Sequence, residues 1–152
     1  MRPDKKVLAA GVAAACVWMG TNAYAAGSHT ISVNATVTAV CRFVTSSSSI
    51  PLTIDPTQST TVTATDLVPY QCSSGTTPAF TLASSSTDSA TGGNLLNGAN
   101  TLAYAFSSSG AAAGTGFTST QSLTVTVSVG QAQAASVPAG TYSDTVLVSV
   151  NP

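Results

Sequence analysis

"PAGTYSDTVLVSVNP", residues 138–152, is the stretch that decides the fold class. Tyr142, Val146, Val148 and Val150 fall on one parity of this segment, and Asp144 shares that parity near its start. Hydrophobic residues at every second position are typical of a β-strand with one buried face. The segment predicts a final strand from about Tyr142 to Val150. We expect one neighbour of this strand to come from a distant part of the chain or from another chain, because almost no sequence follows it.

The same period of two recurs along most of the chain. It is strongest in "QSLTVTVSVG" (121–130) and clear in "TLAYAFS" (101–107) and "TTVTATDLVPYQC" (60–72), where Pro69 predicts a bulge or an edge position. Residues 92–100 and 110–116 are rich in turn-forming residues and are predicted to be loops. Short alternating strands separated by turns at intervals of roughly ten residues predict an all-β chain and a β-sandwich.

The first 25 residues have the pattern of a secretory signal peptide. Basic residues precede an apolar run from Val7 to about Met19, and the small-x-small triplet Ala23 to Ala25 follows. We predict cleavage after Ala25, so that residues 26–152 form the exported domain. A weaker alternative is lipidation at Cys16, since "VAAAC" loosely resembles a lipoprotein cleavage box.

The charges that remain after this cleavage exclude two classes of partner. Arg42 is the one basic residue against four aspartates, which gives a net charge of −3 with His29 neutral. Nucleic acids and anionic membrane surfaces are bound through clusters of Lys and Arg, and the exported domain has none. We therefore expect neither as a partner.

Two cysteines, Cys41 and Cys72, remain in the exported part. In an oxidising compartment an even pair is most simply a disulfide, and we predict one between them. The competing interpretation is a metal site, but two thiols with His29 cannot complete a structural zinc shell. We expect no metal site and no cofactor.

Catalytic groups are scarce. The exported domain has one histidine, His29, in the N-terminal segment, and it has neither Glu nor Lys. Its aspartates fall in "DPT", "TDL", "STD" and "SDT", where a carboxylate commonly caps a local backbone N–H. We predict no catalytic residues, no small-molecule substrate and no enzymatic activity.

The N-terminal segment, residues 28–38, has its own alternating face, formed by Ile31, Val33, Ala35 and Val37. The residue pattern alone leaves two possibilities open. This arm can pair with the last strand of its own domain and complete a monomer, or it can pair with the last strand of another copy.

Four stretches resemble the spore coat protein U domain, the pilin type of the archaic, Csu-type chaperone-usher pathway. They are "VTAVC" (37–41), Cys72 after a strand, "LAY" (102–104) and, most specifically, "PAGTYSDTVLVSV" (138–150). The chain departs from the family pattern in "LTIDP" (52–56) and in the Ala- and Gln-rich stretch after "LTVTVSV" (123–129). The resemblance covers residues 26–152.

This resemblance implies an incomplete immunoglobulin-like β-sandwich that is completed by donor-strand exchange. The donor strand is then 28–38, with Ile31, Val33, Ala35 and Val37 facing inward, and the acceptor groove contains Tyr142, Val146, Val148 and Val150. The implied partners are other copies or related pilins, a periplasmic chaperone and an outer-membrane usher. The resemblance also makes the intermolecular arrangement the favoured one.

The leading functional hypothesis is therefore a structural subunit of an extracellular, cell-surface pilus for attachment and biofilm formation. Two alternatives belong to other classes. One is a tip or surface adhesin, for which we expect a further receptor-binding domain that this sequence has no room for. The other is a self-complemented extracellular coat protein, which a soluble monomer made without a chaperone would indicate.

Overall fold

A computed structural model describes residues 27–152, so the predicted signal peptide and Cys16 lie outside the described residues. Of these residues, 27–35 belong to one unit and Thr36–Pro152 to another. Residues 27–40, which include the arm of residues 28–38, form neither helix nor strand, and the first strand begins at Cys41.

The unit from Thr36 to Pro152 contains seven strands and one short helix among the described residues. They are β1 (Cys41–Phe43), β2 (Val62–Cys72), β3 (Ala79–Ser84), β4 (Gly92–Asn97), β5 (Asn100–Ser109), β6 (Gln121–Val129), α1 (Gln131–Ala135) and β7 (Val146–Asn151). The all-β prediction is confirmed. No helix in the described part of the chain is both long and apolar enough to span a membrane.

The strands form a five-stranded sheet in the order β1-β2-β6-β5-β4 and a two-stranded sheet of β3 and β7, with all pairs antiparallel. An immunoglobulin constant-type domain has strands A, B, E and D in one sheet and C, F and G in the other. Here β1, β2, β6 and β5 follow the order A, B, E, D, and β3 and β7 correspond to C and F. No strand among residues 27–152 corresponds to G.

The core lies between the two sheets and is built from the alternating residues of the central strands. Every second residue of β6 is buried, and the Tyr70 ring of β2 packs edge-on against Phe80 of β3 with 4.8 Å between ring centroids. Burial of this alternating face is the main force that holds the sheets together. The buried hydrophobic residues are Tyr70, Cys72, Leu82, Leu102, Tyr104, Phe106, Leu123, Val125, Val127, Val129 and Ala134.

Pro69 lies inside β2 without a bulge. The strand tolerates it because proline has no N–H that must find a hydrogen-bond partner. β2 pairs with β6 throughout Val62–Tyr70, whereas the pairing with β1 ends at Tyr70, opposite Phe43. The carbonyl of Pro69 accepts a hydrogen bond from the Val44 N–H, so its backbone groups face the side where β1 has ended. Pro69 is therefore paired on its β6 side but lies beyond the last paired residue on its β1 side. Proline is tolerated there because no ladder hydrogen bond needs its missing N–H.

Residues 92–100, predicted to be a loop, instead form β4 and the turn into β5. Asn97 pairs with Asn100 across Gly98 and Ala99, and Gly98 has a φ of +57°. A two-residue hairpin turn of this kind needs positive φ at its first central position, which Gly98 supplies. The loop prediction was wrong because these same residue types also end and link strands.

The loop at residues 110–116, predicted as flexible surface sequence, is anchored to the core. The Ala112 N–H donates to the hydroxyl oxygen of Tyr70 at 2.7 Å, and that hydroxyl donates to the Ala112 carbonyl at 3.0 Å. Gly114 is buried against Cys72 and Ser73, where an added Cβ would overlap their backbone atoms. The loop therefore covers one end of the core.

Candidate functional site

A cavity of about 810 Å³ opens between the two sheets. One wall comes from β2 and β6, a second from β7 and the residues before it, and a third from the segment of residues 48–54. Its apolar lining includes Leu52, Ile54, Val68, Val125, Val146 and Val148. An apolar concavity of this size suits alternating aliphatic side chains of a strand.

The edge of β7 beside this cavity carries unpaired backbone groups. In an antiparallel pair, successive residues direct their N–H and C=O groups alternately toward the partner strand and away from it. The Ser85 N–H donates to the Thr145 carbonyl, while the Ser84 N–H, opposite Val146, turns away to the Ser89 carbonyl. Leu147 and Ser149 therefore bond toward β3, and the backbone groups of Val146, Val148 and Val150 face outward, where no backbone group of the described residues pairs with them.

The two-stranded sheet has a second edge, along β3. The cavity distinguishes the two edges, because Val146 and Val148 of β7 line it and neither Phe80 nor Leu82 of β3 does. Of these two edges, the β7 edge is the one that combines outward-facing backbone groups with an adjacent apolar cavity.

Three of the four predicted groove residues, Tyr142, Val146 and Val148, line this cavity. Val150 does not; it pairs with Phe80 and is half-buried, and it adds its backbone groups to the same edge. The predicted start of the last strand was too early, since β7 begins at Val146. Ser143 pairs instead with Leu96 of β4, through hydrogen bonds of 2.8 and 3.1 Å.

The sequence did not predict which residues form the cavity walls opposite β7. Ile50, Leu52 and Ile54 are half-buried at every second position, although the segment forms no strand. Their alternation was visible in the sequence and indicated a buried face. Asp66 of the "TDL" tripeptide lies within β2 on the inward parity and borders the cavity.

Asp144 was expected to cap a local backbone N–H, and it does so by accepting from the Thr145 N–H at 2.8 Å. It also accepts four hydroxyl hydrogen bonds from distant residues. Oδ2 accepts from Ser84, Ser86 and Tyr104 at 2.6, 2.9 and 2.7 Å, and Oδ1 accepts from Ser85 at 2.7 Å. We call Asp144, Ser84, Ser85, Ser86 and Tyr104 the carboxylate cluster.

The surroundings within the carboxylate cluster shift the pKa of both Asp144 and Tyr104. Burial acts to raise the pKa of Asp144, but the hydrogen bonds from Ser84, Ser85 and Tyr104 and from the Thr145 amide outweigh it and hold that pKa well below its ordinary value. Burial, together with the hydrogen bond to Asp144 and its charge, raises the pKa of Tyr104 to about 12. Asp144 is therefore an anion, and Tyr104 a neutral hydrogen-bond donor, at neutral pH.

The predicted donor residues are exposed. The side chains of Ile31, Val33 and Val37 are 76, 87 and 90 % accessible to solvent, and Ala35 is also exposed. Large aliphatic side chains in this state favour association with an apolar surface.

A disulfide joins Cys41 and Cys72, as predicted. It links β1 to β2 at directly opposed positions and so fixes the start of the domain to the core. Across residues 27–152 there is no group of three or more His, Cys, Asp and Glu residues suited to holding a metal ion.

Comparisons with known proteins bear on the family. A family model described as the Spore Coat Protein U domain matches residues 28–149. A search of curated proteins found no match. A search of solved structures found similarity to a chain from the "Crystal structure of CsuC-CsuE chaperone-tip adhesion subunit pre-assembly complex from archaic chaperone-usher Csu pili of Acinetobacter baumannii", with 20 % identity and a TM-score of 0.47. That similarity covers 76 % of this chain and 40 % of the other.

Proposed function

Because the chain belongs to the spore coat protein U domain family, we propose that it is a structural, non-catalytic subunit of a chaperone-usher pilus. In this proposal the edge of β7 accepts the N-terminal arm, residues 28–38, of another copy. The single observation that carries the proposal is the row of outward-facing backbone groups at Val146, Val148 and Val150 beside an apolar cavity.

The arm has the chemistry that this edge needs. Ten residues of strand span roughly 33 Å, more than the length of β7. Main-chain hydrogen bonds to β7 supply affinity, and the alternate side chains of the arm fill the cavity. Burial of Ile31, Val33 and Val37, with a smaller share from Ala35, contributes very roughly 5 to 8 kcal/mol before the cost of ordering the arm.

The same open edge explains the proposed partners. An unpaired strand edge beside an apolar surface promotes aggregation. A periplasmic chaperone that occupies the edge until an outer-membrane usher replaces it with the arm of the next subunit would prevent that. The product is an extracellular pilus, and we propose attachment and biofilm formation as its role.

Substitutions on the two faces of the arm test this proposal. Val33→Asp with Val37→Asp places two carboxylates on the proposed inward face, and Ser32→Asp with Thr36→Asp places them on the opposite face. We expect the first pair, like deletion of residues 31–37, to abolish the ladder of multimers on gels of unheated surface extracts, and the control pair to retain it. Filament assembly by the first pair would contradict the proposal.

The intramolecular alternative predicts a different product. A domain completed by its own arm would be a soluble monomer without a chaperone, and its mass in native mass spectrometry would be that of one chain. Multimers that persist in denaturant and separate only on heating support exchange between copies.

A further inference from the structure

One charged side chain lies on the floor of the apolar cavity beside β7. Asp66 is on the inward parity of β2, opposite Val125 of β6, and it is half-buried. Among residues 27–152, no backbone or side-chain group donates a hydrogen bond to its carboxylate. Arg42, the one basic residue in that range, bonds Gln71 instead. The carboxylate of Asp66 is therefore available to meet whatever occupies the cavity.

Asp144, the other charged residue of the cavity lining, has its hydrogen bonds satisfied. Its oxygens accept from the four hydroxyl groups of the carboxylate cluster and from the Thr145 N–H. The cavity floor beside Asp66 is aliphatic and includes Val68 and Val125. Within the described residues, the cavity thus has one position with an unpaired charge among positions that suit apolar side chains.

This position restricts the side chain that can be placed over it. A carboxylate buried under an aliphatic side chain loses its water and gains no hydrogen bond in return, which is costly. A small side chain leaves space for water, which occupies about 30 Å³ per molecule in the liquid. We therefore expect a strand added to β7 to place a small residue over Asp66 and larger aliphatic residues at its neighbouring inward positions.

The arm has one small residue on its inward face. Ala35 lies in the series Ile31, Val33, Ala35 and Val37, and its side chain lacks two methyl groups that valine has. From a register with Ala35 over Asp66, a slip of one residue turns the aliphatic face out of the cavity. A slip of two residues keeps that face inward but places Val33 or Val37 over Asp66. The match of one small residue with one charged position therefore distinguishes registers that aliphatic packing alone leaves similar.

We infer that Ala35 of the added arm lies over Asp66, and that Asp66 sets the register of the arm and selects arms that carry a small residue at this position. The inference rests on the proposed function and deepens it, because it names the feature of a partner subunit that the groove recognises. Asp66 is a positioning residue. It acts through the water that its carboxylate retains and not through a bond to the arm.

A double-mutant cycle in full-length chains tests this contact. Ala35→Val fills the space over the carboxylate, so we expect multimers, followed on gels, to dissociate about tenfold faster at a fixed temperature. Asp66→Ala removes the carboxylate and opens space, so in that background Ala35→Val should slow dissociation. An equal effect of Ala35→Val in the two backgrounds would overturn the inference.

Asp55→Ala is the matched control. The carboxylate of Asp55 is exposed, lies outside the cavity lining and bonds only Thr57 and Gln58. In this background Ala35→Val should accelerate dissociation as it does in the parent. Loss of the acceleration with Asp55→Ala would show that a carboxylate outside the cavity has the same influence as Asp66, and it would overturn the inference.

Charged substitutions at Ala35 test the same contact without altering β2. Ala35→Lys places an ammonium group near the carboxylate of Asp66, whereas Ala35→Asp places a second carboxylate there. We expect the ladder of multimers to persist with Ala35→Lys and to be lost with Ala35→Asp. Equal behaviour of the two variants would overturn the inference.

The parent chain distinguishes a failure of the proposed function from a failure of the inference. If the parent forms no ladder of multimers, the proposed function fails and the inference fails with it. If the parent forms the ladder but Ala35→Val has the same effect with and without the Asp66 carboxylate, only the inference is overturned.

Discussion

The hydroxyl of Tyr104 donates a hydrogen bond of 2.7 Å to Oδ2 of Asp144. This bond joins β5 of the five-stranded sheet to the residues that lead into β7 of the two-stranded sheet. The two sheets are therefore connected by a charged polar contact as well as by apolar packing, and the contact lies at the border of the cavity.

Tyr104→Phe removes this hydrogen bond and retains the ring. Hydrogen bonds to charged groups contribute about 1.5–3 kcal/mol, and we expect a loss of that size in the free energy of unfolding measured by urea titration. Tyr142→Phe is the matched control, because its hydroxyl bonds the Pro138 carbonyl at an exposed site. Its effect should stay within about 0.5 kcal/mol. Equal losses of unfolding free energy in the two variants would show that the hydrogen bond to Asp144 contributes no more to stability than the exposed one.

The stabilising effect of Asp144 should disappear in acid. A carboxyl group whose pKa is lower in the folded chain stabilises the fold above its unfolded value, about 3.9, and this contribution falls as the pH drops toward the folded value. The difference in unfolding free energy between the parent and Asp144→Asn should thus be constant from pH 7 to 5 and smaller at pH 3. A difference that widened on acidification would contradict this assignment.

The contribution of Tyr104 to stability should be lost at alkaline pH, whereas that of Asp144 is lost in acid. Its pKa is raised to about 12, so its contribution is complete below about pH 10, the unfolded value, and decreases between pH 10 and 12. The stability difference between the parent and Tyr104→Phe should shrink over that interval. Absorbance of the tyrosinate anion, compared between the parent and Tyr104→Phe, provides an independent measurement.

Gly93 leaves the space that the carboxylate cluster occupies. A Cβ built on Gly93 would overlap Ser84 Oγ and lie 2.8 Å from Oδ2 of Asp144. We expect Gly93→Ala to cost about 1–3 kcal/mol of stability through overpacking, measured by urea unfolding. Gly27→Ala, at a position with no atom within 4 Å of the added group, is the control and should have no comparable cost.

The Cys41–Cys72 disulfide closes a loop with a sequence separation of 31 residues. Replacing both cysteines by Ser should lower the free energy of unfolding by about 3–4 kcal/mol in the chain-entropy model. Reductant should destabilise the parent by a similar amount and leave the double variant unchanged. A reductant effect on the double variant would point to a different cause.

Residues whose role is local were predictable from the sequence. The alternation of Leu123, Val125, Val127 and Val129 predicted β6, because a half-buried strand needs no information beyond its own period of two. The disulfide followed from the two cysteines that remain after the predicted cleavage. Residues 101–107 likewise predicted the buried face of β5, including Tyr104.

The carboxylate cluster and β4 were not predictable in this way. Ser84 and Asp144 are 60 residues apart, and each has an ordinary local explanation, a serine at the end of a strand and a turn carboxylate. Their contact arises only when β3 and β7 pair and Gly93 leaves room between them. β4 was missed for the same reason, since its two glycines and two asparagines favour turns unless tertiary packing holds them in a strand.

Hydrogen exchange at individual amides of β7 tests the central claim most directly. In assembled material from the parent chain, we predict slow exchange at Val146, Val148 and Val150, whose amides face the open edge, and at Leu147 and Ser149, which bond β3. In the Val33→Asp, Val37→Asp variant the first three amides should exchange fast while Leu147 and Ser149 stay protected. Equal exchange at Val146, Val148 and Val150 in both samples would contradict the claim that the arm completes this edge.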